Sequence, residues 1–177
     1  VFSQNVFSVH PEESRQDAGF GLLLLGRGDG GFKPATIAES GLAVFGEGRG
    51  AAAADFNHDG RTDLIISQNG AKPKLFLNQA KQRGLRVKLL GKEGNLLGIG
   101  AQIYLVFGDK TGPLRTVRAG SGYLSQNSAS QVLGGGDKAV ALHVAWPSGK
   151  GERYNLSPNQ LEFTAVNGQG ETWPPAR

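Results

Sequence analysis

The chain has 177 residues, 38% of them hydrophobic and 19% charged, with a formal net charge of +4 at pH 7. This composition is ordinary for a globular protein and argues against a disordered chain. Because there is no cysteine, disulfides and thiolate metal sites are excluded. No apolar run approaches the roughly 18 residues that span a bilayer. The first residues lack the features of a signal peptide, so any export signal is expected to be missing from this chain.

Glycine separates short apolar runs along the whole chain. The 28 glycines lie between runs of Leu, Ile, Val, Phe and Tyr, without long helical periodicity. This pattern is typical of turn-rich β-proteins. The sequence therefore predicts an all-β fold.

Two similar hairpins are predicted within the first 80 residues. In GFGLLLLGRGDGGFKPA (19–35), a buried four-leucine strand, a Gly/Asp turn and a strand from about Phe32 follow one another. In TDLIISQNGAKPKLFLNQ (62–79), a buried strand over 64–67 precedes a polar turn and a strand over 74–78. Repeats of this size are typical of propeller blades, and two are too few to close a propeller. Residues 1–80 are therefore predicted to be the C-terminal blades of a longer propeller, or blades completed from elsewhere.

The hydrophobic pattern of the sequence changes after the stretch NQAKQRG. From Leu85, short runs with period-two alternation are separated by Gly, Pro and charged turns. In AVALHVAW, Val140, Leu142, Val144 and Trp146 share one phase, and His143 lies in the other phase among alanines. We expect a small β-sandwich-like domain over residues 81–166, followed by a proline-containing tail over 167–177.

The stretch ADFNHDGRTDLIIS carries acidic or amide side chains at alternate positions. Counted from Asp55, side-chain oxygens fall at positions 1, 3, 5 and 9, and Gly60 at position 6 permits a sharp turn. Hard oxygen donors in this number suit Ca²⁺, whereas an EF-hand would need a glutamate at position 12, where Ile66 stands. The predicted ligands are the side chains of Asp55, Asn57, Asp59 and Asp63 and the carbonyl of Arg61. The alternative is that the same residues only form Asx turns in a tight loop.

The same stretch closely resembles the FG-GAP or VCBS repeat, whose DxDxDG calcium loop precedes a strand of a β-propeller blade. The motifs GIGAQIYLV (98–106), RAGSGYLSQ (118–126) and WPSG (146–149) resemble the ASPIC/UnbV domain in order and spacing. QVLGGG (131–136) departs from that family, which more usually shows an aromatic residue and GLG there. The two resemblances cover residues 20 to 165.

The resemblance implies an exported or cell-surface protein, of the kind that includes cartilage acidic protein-like surface proteins, with no established enzymatic activity. We expect a non-catalytic, calcium-stabilised extracellular or periplasmic module that mediates protein or glycan contacts. One alternative is a structural subunit of a larger surface complex or filament, in keeping with an incomplete propeller that exposes strand edges. The other is a glycan-acting hydrolase or lyase on a propeller scaffold, although no catalytic constellation is visible in the sequence.

A basic segment crosses the predicted boundary between the two parts of the chain. Seven of the 19 Lys and Arg residues lie there without an acid between them: Lys72, Lys74, Lys81, Arg83, Arg86, Lys88 and Lys92. Such a segment attracts anionic partners, for example an acidic glycan, but Phe76 is its only aromatic residue, whereas nucleic-acid readers usually carry several for stacking. Its alternative interpretation is a solvated linker with outward-facing strand residues.

Three further motifs have simpler interpretations. Arg27, Gly28 and Asp29 spell the adhesive tripeptide RGD, but a hairpin turn requires Gly and Asp there in any case. The glycines of AGSGYLSQ are expected to form a turn or bulge with Tyr123 packed against the domain. His143 is expected to be a surface or packed histidine and not a metal ligand.

Overall fold

The computed structural model describes residues 1–4, 12 and 19–173. It divides into two compact units. The first unit comprises Val1–Ala53, Asp63–Leu77 and Gly120–Gln126, and the second comprises Ala54–Thr62, Asn78–Ala119 and Asn127–Arg177. Each unit therefore takes in segments from distant parts of the sequence.

The first unit contains two small antiparallel groups of strands. Its elements are β1 (Leu23–Gly26), β2 (Phe32–Ala35), the four-residue helix α1 (Ile37–Ser40), β3 (Glu47–Ala54), β4 (Asp63–Asn69) and β5 (Lys74–Phe76). The last residue of β3, Ala54, is counted with the second unit. Strand β1 pairs with β2, and β3, β4 and β5 form a three-stranded sheet in that order. The two predicted hairpins are therefore present.

The core of the first unit is small. Leu42, Val44 and Ile66 are buried together, and Leu23 and Phe76 pack against them. The predicted burial of the four-leucine strand is wrong, because β2 is the only described strand that pairs with β1 and Leu25 is 47% exposed. Strand β4 is likewise buried on one face, since Ile66 is inaccessible whereas Ile65 is 43% exposed.

As far as Trp173, the second unit contains nine strands and a 3₁₀ turn. They are β6 (Gly84–Leu90), β7 (Gln102–Phe107), β8 (Lys110–Thr111), β9 (Arg115–Thr116), β10 (Gln131–Gly134), the 3₁₀ turn (Gly136–Lys138), β11 (Ala141–Ala145), β12 (Gly151–Asn155), β13 (Glu162–Val166) and β14 (Glu171–Trp173). Most of them coincide with runs of alternating apolar residues, which is the pattern of a half-buried strand.

The strands of the second unit form two sheets that enclose one core. The smaller sheet has the order β10–β6–β13, with β13 parallel to β6, and the larger has the order β14–β12–β11–β7–β8 with β9 beside β7. The core joins residues of both sheets, including Leu85 and Val87 from β6, Ile103 from β7 and Leu142 and Val144 from β11. The predicted sandwich is therefore confirmed.

Strand β11 is buried on both faces. Leu142, Val144 and Trp146 lie in the core as their phase predicts, but Val140 is 46% exposed because it precedes the strand. On the other face, His143 is 5% exposed. Its ring lies 4.9 Å from that of Tyr104 and 4.7 Å from that of Trp173, between ring centroids.

Residues 171–173 form a strand, although the sequence assigns them to the tail. Strand β14 pairs antiparallel with β12, which places Trp173 beside Gly151 and Glu171 beside Arg153. The strand is only three residues long and none of them is buried, so it carries no alternation from which to predict it. The rings of Trp173 and His143 give it a tertiary anchor.

All-β architecture is confirmed, since the described residues contain only one four-residue helix and one 3₁₀ turn beside the strands. The strand order within these residues gives open sheets and no closed ring. Within the same residues, no helix has the length and apolar content to cross a membrane. The domain boundary expected near residue 80 stays a prediction.

Candidate functional site

The acidic loop, residues 55–63, connects β3 with β4. Its part up to Thr62 belongs to the second unit, and Asp63 is the first residue of β4, as predicted from the sequence. Asp55 and Asp63 are buried, at 8% and 2% exposure, whereas Asn57 is exposed. Two carboxylates of this loop have therefore lost most of their contact with water and need compensating partners.

Asp55 organises the turn through its two carboxylate oxygens. Oδ1 accepts the backbone N–H of Asp59 at 2.9 Å, and Oδ2 accepts that of Gly60 at 3.1 Å. A carboxylate that bonds successive N–H groups four and five residues ahead closes the chain into a tight ring. This span is longer than that of an Asx turn, which bonds an N–H two residues ahead, whereas the bond from the N–H of Asp59 to Asn57 Oδ1 at 3.3 Å has the Asx spacing.

Asp59 forms a second centre in the loop. Its Oδ1 accepts the backbone N–H of Arg61 at 2.9 Å, and its Oδ2 accepts Asn57 Nδ2 at 2.9 Å and Arg61 Nη1 at 2.8 Å. Partial desolvation opposes ionisation of Asp59, but the hydrogen bonds from Asn57 and Arg61 outweigh it and lower the pKa of its carboxyl. Asp59 is therefore held as an anion.

The backbone of the loop uses two positive φ angles. His58 has φ 59° and Gly60 has φ 79°, and only the second is at a glycine. A Cβ on Gly60 would stand 3.0 Å from the carbonyl oxygen of Gly84 and 3.4 Å from Cβ of Arg83. Gly60 O also accepts the backbone N–H of Gly84 at 2.8 Å. Glycine at position 6 is thus required by the turn and by the close approach of the segment before β6.

Arg86 reaches the acidic loop from strand β6. Its Nε lies 3.8 Å from Asp55 Oδ2, its Nη1 lies 2.8 Å from Glu162 Oε1, and its Nη2 lies 3.4 Å from His58 Nε2. The Arg86 side chain is 16% exposed and that of Asp55 is 2% exposed. Within the described residues, Nε is buried without a hydrogen-bond partner, so its interaction with Asp55 is an ion pair only.

The donor set of the loop suits a hard cation. Carboxylate oxygens offer about four lone-pair sites per group, so Asp55 and Asp59 keep acceptor capacity beside their hydrogen bonds. In the part of the chain that the structure describes, no three His, Asp or Glu side chains lie close enough together to hold a metal ion. The predicted ligand set also relies on the Asn57 amide and the Arg61 carbonyl, and it stays a prediction.

The basic segment does not act as one group. Six of its members are exposed: Lys72, Lys74, Lys81, Arg83, Lys88 and Lys92. Lys72 and Lys74 belong to the first unit and the others to the second. The seventh, Arg86, is turned toward Asp55 and Glu162 and is not available to an external anion.

The remaining motifs lie outside this site. The RGD tripeptide is exposed at the tip of the β1–β2 hairpin, where Asp29 Oδ1 accepts the backbone N–H of Gly31 at 2.8 Å. The turn expected in AGSGYLSQ is present, and Ser125 Oγ accepts the backbone N–H of Ala51 at 2.9 Å. The expectation that Tyr123 packs is wrong, because its side chain is 74% exposed.

Two polar groupings were missed by the sequence analysis. The first is Arg86 with Asp55, for which the sequence holds no signal because β6 carries the arginine to the loop. The second is the buried Glu152, whose Oε2 accepts Trp146 Nε1 at 2.9 Å and whose Oε1 accepts the backbone N–H of Gly168 at 2.8 Å. The sequence of β12, GERYN, is mostly polar and holds no signal that Glu152 is buried.

The Glu152 grouping is a buried hydrogen-bond network. Tyr154 donates its hydroxyl to the same Oε2. Burial would raise the pKa of Glu152, but the hydrogen bonds from Tyr154, Trp146 and the backbone N–H groups of Gly168 and Gly170 hold it below its usual value. Burial, with the adjacent Glu152 anion, raises the pKa of Tyr154. Trp146 of the WPSG motif is thereby tied to β12.

Two protein families match the chain in succession. An FG-GAP-like repeat matches residues 6–66, and the ASPIC and UnbV family matches residues 91–171. The acidic loop lies within the first match and most of the sandwich within the second. Neither family description names an enzymatic activity. The resemblances stated from the sequence are thus confirmed.

The chain is similar to cartilage acidic protein 1 from three vertebrates. It is 37% identical to the Xenopus tropicalis protein over 111 residues, 32% identical to the Homo sapiens protein over 122 residues and 34% identical to the Mus musculus protein over 111 residues. These alignments cover 59%, 66% and 59% of this chain but only 17%, 18% and 17% of those proteins. The chain carries an FG-GAP-like repeat followed by an ASPIC/UnbV domain, and 59% to 66% of it is homologous to cartilage acidic protein 1.

Proposed function

We propose that this chain is a non-catalytic, calcium-stabilised contact module of an exported protein. The observation that carries the proposal is the acidic loop, in which Asp55 and Asp59 bend the chain around Gly60 and keep free acceptor sites. The family matches support the coarse class, an extracellular adhesion-like module. Location at the cell surface, in the periplasm or outside the cell is part of the proposal.

Calcium would be held by oxygen atoms of Asp55, Asn57, Asp59 and Asp63 and by the carbonyl of Arg61. When bound, the ion supplies two positive charges to a loop that contains three carboxylates. The chain's own part is to place those oxygens. Asp55 receives two backbone N–H groups, and Asn57 and Arg61 orient Asp59. The ion would therefore stabilise a turn that the chain has already formed.

Thermal unfolding with and without Ca²⁺ tests this proposal. We expect a melting temperature a few degrees higher in excess CaCl₂ than in a chelator, because an ion that binds only the folded state stabilises it. Asp59→Asn should lose this difference, and Asp29→Asn, which alters a carboxylate in the exposed β1–β2 turn, should keep it. Identical melts in both conditions, with no bound metal on elemental analysis, would refute calcium stabilisation.

The contact surface is proposed to bind other protein chains or an acidic glycan. Exposed Lys81, Arg83 and Lys88 in the second unit favour an anionic partner, because clustered positive charge raises the local concentration of anions. Nucleic acid is not the expected partner, since Phe76 is the only aromatic residue of the segment on which a base could stack. One pocket in the sandwich is lined by Leu105, Gly112, Pro113, Arg115, Leu133 and Gly134, which include no carboxylate or histidine. That lining does not favour the glycan-acting enzyme.

A structural subunit of a larger assembly is the second candidate. Among the described strands, β5 pairs only with β4, so its outer edge is open, and Leu75 and Leu77 are 43% and 49% exposed. An open edge with apolar side chains can pair with a further strand. Light scattering across a hundredfold range of concentration tests this candidate. A monomer throughout would count against self-assembly, and a mass that rises with concentration would support it.

A further inference from the structure

Arg86 is the only side chain from a strand of the sandwich that the described contacts place at the acidic loop. Its three nitrogen atoms face three different groups, Asp55 on one side, Glu162 on another and His58 on the third. The guanidinium is mostly buried, and the carboxylate of Asp55 is almost completely so. Because ions in such a position have lost much of their hydration, their mutual attraction is screened less than on the surface.

Two of the three carboxylates of the loop have an arginine beside them. In the second unit, Asp55 and Asp59 supply two negative charges, and Arg61 and Arg86 approach them with two positive charges. Arg61 Nη1 lies 2.8 Å from Asp59 Oδ2, and its Nε donates to the carbonyl of Ala80 at 2.5 Å. Asp59 therefore pairs with Arg61, whereas Asp55 shares Arg86 with Glu162.

The position of Arg86 is set by strand register. In the smaller sheet, Arg86 is paired with Val132 of β10 on one side and with Glu162 of β13 on the other. Two residues before it, the backbone N–H of Gly84 bonds to Gly60 O at 2.8 Å and joins the start of β6 to the loop. The pairing of β6 thus fixes the backbone of Arg86 at a position from which its guanidinium reaches Asp55.

We propose that Arg86 is an internal counter-ion of the acidic loop, which holds the loop folded without metal and competes with a divalent cation at Asp55. The second half of this statement rests on the proposed calcium function. Arg86 Nε and Asp55 Oδ2, 3.8 Å apart, form an ion pair without a hydrogen bond. Asp55 Oδ2 can therefore still coordinate a cation of higher charge. A cation at Asp55 would stand close to the guanidinium and be repelled by it. Since affinity for Ca²⁺ depends on the charges around the loop, Arg86 sets it low.

Arg86→Gln tests both halves, with Arg153→Gln as the matched control. Arg153 also lies on a strand of the second unit and pairs with Glu171 at 3.9 Å, away from the loop. In chelator, we expect Arg86→Gln to lower the melting temperature by several degrees. We also expect its effect and that of Asp55→Asn to be less than additive in the double variant, because each change removes the same ion pair. Arg153→Gln should change the melting temperature little.

Calorimetric titration with CaCl₂ gives the second readout. Arg86→Gln should bind Ca²⁺ about tenfold more tightly than the unaltered chain, because one positive charge near the ion is removed. Arg86→Lys, which keeps the charge, should bind with unchanged affinity, and so should Arg153→Gln. If Arg86→Gln does not fold in chelator, recovery of its fold on addition of CaCl₂ supports the proposal.

The possible results separate this inference from the calcium function. Unchanged calcium affinity in Arg86→Gln, together with additive effects of Arg86→Gln and Asp55→Asn, overturns the counter-ion. Less than additive effects in chelator support the role of Arg86 as an internal counter-ion. If, in addition, no variant binds calcium, both the competition with calcium and the proposed calcium function are overturned. Equal tightening in Arg86→Lys and Arg86→Gln also overturns the proposal, because the charge of Arg86 would then not be the cause.

Discussion

Trp146 Nε1 donates a hydrogen bond of 2.9 Å to Glu152 Oε2, inside the sandwich of the second unit. The two residues flank the turn between β11 and β12, and the Tyr154 hydroxyl donates to the same carboxylate oxygen. Glu152 is 6% exposed, and Trp146 is 3% exposed. A buried carboxylate with donors on both of its oxygens ties the larger sheet to the chain that follows β13, through Gly168.

We expect Glu152→Gln to lower the free energy of unfolding by about 2 kcal/mol, because hydrogen bonds to a charged acceptor are replaced by neutral ones and one amide N–H faces a donor. Glu171→Gln is the matched control, since Glu171 is exposed and its pair with Arg153 spans 3.9 Å. Urea unfolding of both variants gives the measurement. If the two midpoints shift equally, the network contributes nothing particular to stability.

The pH dependence of stability should report on His143. Its Nδ1 lies 2.8 Å from the Tyr104 hydroxyl, and within the described residues its Nε2 is buried without a partner. Burial, with the positive charge of Arg153, lowers the pKa of His143 below its usual 6.5. Below pH 6.5 the unfolded chain takes up a proton that folded His143 does not, so stability falls as the pH falls through this range.

His143 lowers the free energy of unfolding by at most about 1.4 kcal/mol for each unit by which the pH falls in this range. Melting temperatures between pH 8 and pH 5 for the unaltered chain and for His143→Gln measure it, because glutamine can keep a hydrogen bond to Tyr104 but does not titrate. We expect the unaltered chain to lose stability more steeply on acidification. Parallel curves for the two proteins would show that His143 does not stay neutral in the folded state.

Gly136 should not tolerate a side chain. A Cβ there would stand 2.5 Å from Cβ of Leu85 and 2.7 Å from its backbone nitrogen, whereas at Gly134 it would meet nothing within 4 Å. Since Leu85 is fully buried in β6, neither partner can move away without disturbing the core. We expect Gly136→Ala to cost about 2 kcal/mol or more and Gly134→Ala to be close to neutral. Chemical unfolding distinguishes them, and equal stability of the two variants would contradict this packing.

Local sequence pattern predicted the fold better than it predicted the site. Alternation in β6, β7 and β11 indicates strands, because the large apolar side chains on one face of each strand lie in the core. The sequence predicts the sharp turn at Gly60 because Asp55 and Gly60 act within a few residues of each other, and the calcium site proposed there stays a prediction. Arg86 was assigned to an anion-binding segment by its charge, since nothing nearby in sequence shows that β6 brings it to Asp55.

The exposed residues of the basic segment, which do not include Arg86, are predicted to bind an anionic partner. The triple change Lys81→Gln, Arg83→Gln and Lys88→Gln removes three exposed charges of the segment from a net charge of +4. Its control is Lys110→Gln, Lys138→Gln and Lys150→Gln, which removes three exposed charges elsewhere in the second unit. On an immobilised sulfated polysaccharide, the first triple should elute at lower salt than the control, because a local cluster of charge attracts anions more strongly than net charge alone. If both triples elute together, the affinity is that of a basic protein as a whole and the segment is a solvated surface.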